Sequence, residues 1–331
     1  MSIGNTISKV LNENGIATST DHWWGSRVHG KNVIFIGSVL KQCAEYLWRF
    51  DRSTNIVFYG AVEGQPVLTN FDKVALKRSN VKMVVPSIFC KEMLESIDVP
   101  VEAVIPHAIF MNEKDHNEEF EKNIRSSILG GGDFKVILNI SDNNSRKGLQ
   151  KFMVASKIIE RMNPETFFFL HSQAGVGYGG INLQKYKQII ENKRLWHTGL
   201  GGQLSEPKVN SLYNISYFYS SSSFAEGFGL PMIESFRFNR PVVAVDAKPF
   251  NEIVENGKTG ILFPYEKRSI YTIQRLMNAV MHIYSVDDFV DAMTLLLMDE
   301  KRYRSMSENI EKEKWKWHAP NVYKAFIPLL Q

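Results

Sequence analysis

The stretch SSSFAEGFGLPMIESF, residues 221–236, places Glu226 and Glu234 eight positions apart around Gly227, Phe228, Gly229, Leu230 and Pro231. Pro231 suits the first turn of a helix, where its missing N–H costs nothing. The glycines before it let backbone amides approach a ligand closely. A helix start favours anions, phosphate above all. Two glutamates make little sense for a bare phosphate cradle. They suit a ligand with both phosphate and hydroxyl-rich parts, because a carboxylate accepts from vicinal hydroxyls of a ribose or hexose while amides take the phosphates. Taken singly, Glu234 reads as well as a first-turn residue complementing the helix dipole, and Glu226 as a solvated loop residue. The pair around Gly-Phe-Gly-Leu-Pro favours the ligand.

The elements that must hold this corner follow from apolar runs. FKVILNIS, TFFFLHS, LWHTG, SYFYSS, PVVAVD and TGILF read as strands, with LQKFMVASKIIERM, LQKYKQIIENK, PKVNSLYNI and PMIESFRF between them as helices. Short continuous apolar runs separated by helices predict a parallel sheet covered on both faces. SYFYSS feeds the glutamate corner, which therefore sits at the carboxyl edge of a doubly wound sheet, where open α/β folds bind ligands. The first part of the chain repeats the pattern with KNVIFIG, TNIVFYG, VKMVVP and VEAVIP as strands and SVLKQCAEYLWRF and SIFCKEMLESI as helices, Ser87 capping the last. The charged run NEKDHNEEFEKNIRSSILGGGD reads as a linker, with Gly130, Gly131 and Gly132 as its hinge. The predicted division is 1–112, a first Rossmann-like domain; 113–132, the linker; 133–313, a second Rossmann-like domain; and 314–331, a helix that either returns to the first domain or lies on the second.

Composition narrows the classes. The 331 residues, 44% hydrophobic, allow two domains of ordinary size. A net charge of +4, spread along the chain, permits an anionic ligand without requiring nucleic acid. Cys43 and Cys90 are the only cysteines, which predicts reduced core residues in a cytoplasmic protein. No run reaches the length of a membrane span.

At EGFGLPMIE the chain resembles the retaining nucleotide-sugar glycosyltransferases of the GT-B fold, family four, also described as glycosyl transferases group 1. Their Glu-x7-Glu element is present letter for letter from Glu226 to Glu234. RPVVAVDAKPFNEIVENGKTGILF, VKMVVPSIFCKEMLESIDVPVEAVIPHAIF and WKWHAPNVYKAF resemble further family segments. The resemblance implies two Rossmann-like domains facing across a cleft, the first shortened at its N-terminus, and a donor that is a UDP-, GDP- or ADP-sugar, with no other cofactor. Glu234 would bind the ribose hydroxyls and Glu226 the donor sugar. The amides of Gly227, Phe228, Gly229 and Leu230 would meet the sugar or distal phosphate. In the turn NISDNNSRKGLQ, Lys147 matches the family's lysine, while its usual arginine falls on Asp142, so that Arg146 is the candidate replacement, and Ser141 is a further candidate to bind the donor. GNTISKVLNENGIATST resembles the family's first helix and second strand, with Gly4 near its glycine-rich loop and therefore a candidate to bind the donor.

Fixed cations would stabilise the charge growing on a leaving phosphate. The chain contains no Asp-x-Asp triplet, which predicts a reaction without a metal. The acceptor is a sugar, a lipid-linked or a protein hydroxyl. His22, His29 and His107 are read as surface or interdomain residues, with a place near the donor sugar or acceptor as the alternative, and Trp23 and Trp24 as packing residues, with stacking on a sugar or contact with a membrane surface as theirs. A nicotinamide oxidoreductase is disfavoured, since no Gly-x-Gly-x-x-Gly follows a first strand. An epimerase or phosphorylase on the same scaffold, or a non-catalytic nucleotide-sugar-binding protein, stays open until donor cleavage and acceptor dependence are measured.

Overall fold

The computed structural model describes residues 2–19, 31–38, 40–112, 114–172, 179–198 and 204–331. His22, Trp23, Trp24 and His29 lie outside the described residues. The first unit contains strands β1 (Asn32–Gly37), β2 (Asn55–Gly60), β3 (Gly64–Pro66), β4 (Val81–Val85) and β5 (Ala103–Val104). Four of them form a parallel sheet of order β1-β2-β4-β5. Alternation along β2 explains its two covered faces. Ile56 and Phe58 point to helices Leu40–Leu47 and Ile88–Glu95, whereas Val57 and Tyr59 point to helix Ile3–Glu13 and the C-terminal residues Ala319, Tyr323 and Phe326. The chain end thus returns to the first unit and covers one face of its sheet. Ser87 caps Ile88–Glu95 through the Cys90 amide, as its residue type predicts.

The second unit holds β6 (Lys135–Ile140), β7 (Thr166–His171), β8 (Leu195–His197), β9 (Phe218–Ser220), β10 (Val242–Val245) and β11 (Gly260–Phe263) in one parallel sheet of order β11-β10-β9-β6-β7-β8. Strand order reverses between β6 and β9, and the ligand-binding crevice of such sheets opens at that switch point.

Two features depart from the sequence expectation. The presumed linker contains helix Glu118–Asn123, capped by the Asn117 side chain, which continues as a π-helical turn Ile124–Ile128. Ile124 is buried in the second unit's core, with Phe120 and Ile128 packed against it. The charged residues on its outer face concealed this apolar stripe. Gly130 to Gly132 consequently lie between that turn and β6, inside the second unit. The chain passes between units beside Ile109 and Trp317 instead, where Ile109 N–H donates to the Trp317 carbonyl at 3.1 Å and Ala319 N–H to the Ile109 carbonyl at 2.9 Å.

The second departure is a hairpin, β12 (Lys267–Ile273) and β13 (Met277–Ile283), which forms an antiparallel sheet of order β12-β13-β3 and so joins the second unit to a strand of the first. Its turn has Gln274 at φ 49° and Arg275 at φ 58°. Both central residues of a tight hairpin turn need positive φ, and the usual signal is Asn-Gly or Asp-Gly. Gln-Arg carries no such signal.

Candidate active site

The loops after β6 and β9 meet at the switch point. Asn139 in β6 donates to the Ser220 carbonyl at 2.7 Å and to Ser222 Oγ at 3.1 Å, tying the two strand ends together. Ser141 follows β6 directly and donates through Oγ to Asn139 Oδ1 at 2.9 Å. Arg146 and Lys147 then form a 3-10 turn that ends at Gly148, φ 60°, where helix Leu149–Met162 begins. A Cβ at Gly148 would stand 2.1 Å from the Ser222 carbonyl oxygen, so glycine permits the two loops to touch. Ser222 Oγ donates to the Lys147 carbonyl at 2.7 Å and the Phe224 amide to the Arg146 carbonyl at 2.8 Å.

These contacts present both cations to Glu226. Lys147 Nζ pairs with Glu226 Oε1, and Arg146 Nη1 lies 3.1 Å from Oε2. Arg146 Nη2 reaches 3.0 Å to Glu63 Oε1, in the first unit. Burial pushes the Glu226 carboxyl up, but Lys147 and Arg146 outweigh it and hold the group down at about 2. The cluster is a pre-formed site of concentrated charge. Asp142, at the position of the family's arginine, is exposed, and Arg146 is the residue that reaches Glu226.

Glu234 occupies different surroundings. Helix Leu230–Arg237 starts at Gly229, φ 111°, where an added Cβ would meet Met232 Cε at 2.3 Å. Leu230, Glu234 and Arg237 share one face of it and line a cavity of about 250 Å³ with Ile3, Thr6 and Phe110. Glu234 Oε2 accepts from Tyr213 Oη at 2.8 Å. Burial pushes its carboxyl above the ordinary value, which the Tyr213 hydrogen bond opposes. A cavity of about 320 Å³ lies beside Asn143, Lys151, Tyr186 and Phe224, and neither cavity is lined by Arg146, Lys147 or Glu226.

The remaining candidates are dispersed. The Gly227 carbonyl accepts from Ser87 Oγ at 2.7 Å, and a Cβ there would lie 3.0 Å from the Val62 carbonyl oxygen, so this glycine seats the corner against the first unit. Phe228 is buried edge-on to His107 and Trp317. His107 is an interdomain residue: Nδ1 lies 2.8 Å from Tyr59 Oη, and burial pulls its pKa to about 3. Gly4 is not in a loop. Ser2 caps helix Ile3–Glu13 through the Asn5 amide, which places Gly4 in the first helical turn near Ile36, while its neighbours Ile3 and Thr6 face the Glu234 cavity. The second strand expected after this helix does not begin within 16–19, which are irregular.

Sequence reading missed Glu63, Gly148 and Tyr213. A charged residue just past the carboxyl end of buried β2 was a signal for Glu63, and a glycine after a basic pair at a helix start was one for Gly148. Tyr213 looks in sequence like any core aromatic.

Residues 120–283 match the family Glycosyl transferases group 1. The chain is 20% identical over 338 residues to uncharacterized glycosyltransferase 335 of Sulfolobus islandicus rod-shaped virus 1, covering 98% of this chain and 95% of the relative. Among solved structures it is similar to Anabaena HepE in complex with UDP, with a TM-score of 0.64 and 14% identity over 90% of this chain and 78% of that one. Sucrose-phosphate synthase of Thermosynechococcus elongatus gives a TM-score of 0.67 and 15% identity, covering 90% and 73%. The paired Rossmann-like units are therefore of the GT-B type, residues 120–283 carry a glycosyl transferases group 1 domain, and the chain is a transferase.

Proposed function

We propose that the protein transfers a hexose from a nucleoside-diphosphate sugar to an acceptor hydroxyl with retention of configuration, as a family-four glycosyltransferase that needs no metal. The observation that carries this reading is the Arg146–Lys147–Glu226 cluster at the switch point of the second sheet. Two fixed cations suit a diphosphate, and a carboxylate held ionised beside them suits the hydroxyls of the sugar attached to it. As the glycosidic bond breaks, negative charge grows on the leaving phosphate. Arg146 and Lys147 stabilise it without reorganising. Glu226 orients the sugar and is not assigned as a nucleophile; the leaving phosphate accepts the acceptor proton on the same face. Glu234 takes the ribose hydroxyls from the cavity it shares with Leu230, and the Ser141 hydroxyl and the amides of Gly229 and Leu230 complete the donor site.

The similarity to HepE, whose structure contains UDP, supports a nucleotide donor. Cys43 and Cys90 are both buried in the core of the first unit, which fits the proposed cytoplasmic setting. Among the described residues no helix is long and apolar enough to cross a membrane. The direct test is a thermal-shift series with UDP, GDP and ADP and their sugars, with magnesium and with chelator. A ligand at a hundred times its Kd adds roughly 2.7 kcal/mol to apparent stability. A shift with one nucleotide series that survives chelation is expected. No shift with any of them defeats the reading.

A further inference from the structure

Glu63 follows β2 in the first unit, yet its carboxylate reaches the second. Oε1 stands 3.0 Å from Arg146 Nη2, with both side chains largely buried. The other end of the same guanidinium, Nη1, donates to Glu226 Oε2 and to the Ala225 carbonyl, each at 3.1 Å. The hairpin of the second unit fixes the Glu63 backbone. Val280 N–H donates to the Glu63 carbonyl at 3.0 Å, and Glu63 N–H points at Met277 Sδ at 3.2 Å. Next to it, a Cβ on Gly64 would lie 2.0 Å from the Asn278 carbonyl oxygen, so the strands approach as closely as glycine allows. A residue of one unit is thus aimed at a cation of the other by a strand that the second unit extends across the cleft.

Charge balance gives this arrangement a consequence. Arg146 and Lys147 are offset by Glu63 and Glu226, leaving the cluster near neutrality. A diphosphate adds negative charge, which is relieved if one carboxylate surrenders its cation. Glu226 engages both cations, whereas Glu63 has one contact with Arg146. Glu63 is the weaker claimant.

We propose that Glu63 is a positioning residue for Arg146 and a displaceable counter-ion. It holds the guanidinium in the cleft when no diphosphate is present, yields it on binding, and retakes it on release. This rests on the donor site assigned above.

The test measures binding of UDP, GDP and ADP by calorimetry to wild type, Glu63→Gln, Arg146→Ala and the double variant, at low and high salt. Glu63→Gln should bind the preferred diphosphate about five- to tenfold more tightly, with sharper product inhibition. The gain should vanish in the Arg146→Ala background, because removing a counter-ion matters only while its cation is present. Glu63→Asp, which keeps the charge and shortens the reach, should shift affinity in the same direction by less, and it serves if Glu63→Gln does not fold. Unchanged or weaker binding by Glu63→Gln, with Arg146→Ala impaired, overturns the counter-ion role and leaves the donor site standing. Equal binding by wild type and Arg146→Ala, or no binding by wild type, overturns the donor site itself and this proposal with it.

Discussion

Glu226 and Glu234 come from one nine-residue motif, and the fold gives them opposite electrostatics. Glu226 lies between Arg146 and Lys147, 13% exposed, and those cations hold its carboxyl at about 2 against the pull of burial. Glu234 has a tyrosine hydroxyl as its hydrogen-bond partner and lines a cavity with Phe110, Leu230 and Arg237, and burial prevails over the Tyr213 bond and the Arg237 charge, so its carboxyl is pushed up. Tyr219 senses both, its hydroxyl pushed up by burial and by both carboxylates. Removing one partner from a matched buried pair strands the other charge at a cost, whereas a buried carboxylate without a cation is available to a ligand that supplies the partners. The pair therefore teaches a division of labour. On the function proposed above, Glu226 belongs to the charged framework of the site and Glu234 is the carboxylate that receives the ribose hydroxyls.

The largest expected effect removes the cation nearest Glu226. Lys147→Ala should lower kcat by roughly 10²–10³, about 2.7–4 kcal/mol of lost transition-state stabilisation. A fall in denaturation midpoint without a fall in kcat would make Lys147 a structural residue and dissolve the contrast. Next is Glu226→Gln, which leaves Lys147, 8% exposed, without its full counter-charge. At pH 7 urea unfolding should show a loss of about 2 kcal/mol. Glu234→Gln should show no comparable loss.

The smallest effect is the most diagnostic, because the two carboxyls differ in sign with pH. The contribution of Glu226 is complete above the unfolded carboxyl value near 4.5 and is lost as pH falls towards 2. Glu234, with its folded value raised above 4.5, binds its proton more tightly in the native state, so it costs stability as pH rises through that interval. Glu234→Gln should thus be more stable than wild type at pH 7 and lose that advantage by pH 4. Thermal unfolding from pH 3 to pH 7 measures it. A Glu234→Gln advantage that does not change with pH would remove the electrostatic half of the comparison.

Much of the second unit was legible because its strands are apolar on both faces and its helices carry one apolar stripe. Ser87 was readable as a cap from its type and position alone. Local chemistry failed where the partner is distant. Phe120, Ile124 and Ile128 were hidden in a charged run whose apolar spacing needed the second unit's core to give it meaning. The β12–β13 hairpin turns on Gln274 and Arg275, and its pairing with β3 spans most of the chain, so no window contains both partners.

By itself, then, the sequence determined what short-range chemistry determines: parallel-sheet strands, helix starts, the glycine corner, and the residue types that can bind phosphate and hydroxyls. Only the tertiary structure decided which carboxylate meets which cation. Arg146 rather than residue 142 reaches Glu226, Glu63 arrives from the other unit, and Gly4 closes into a helix. The physical reason is that ion pairing and burial depend on atoms within a few ångströms, and here those atoms come from positions separated by about eighty residues of chain.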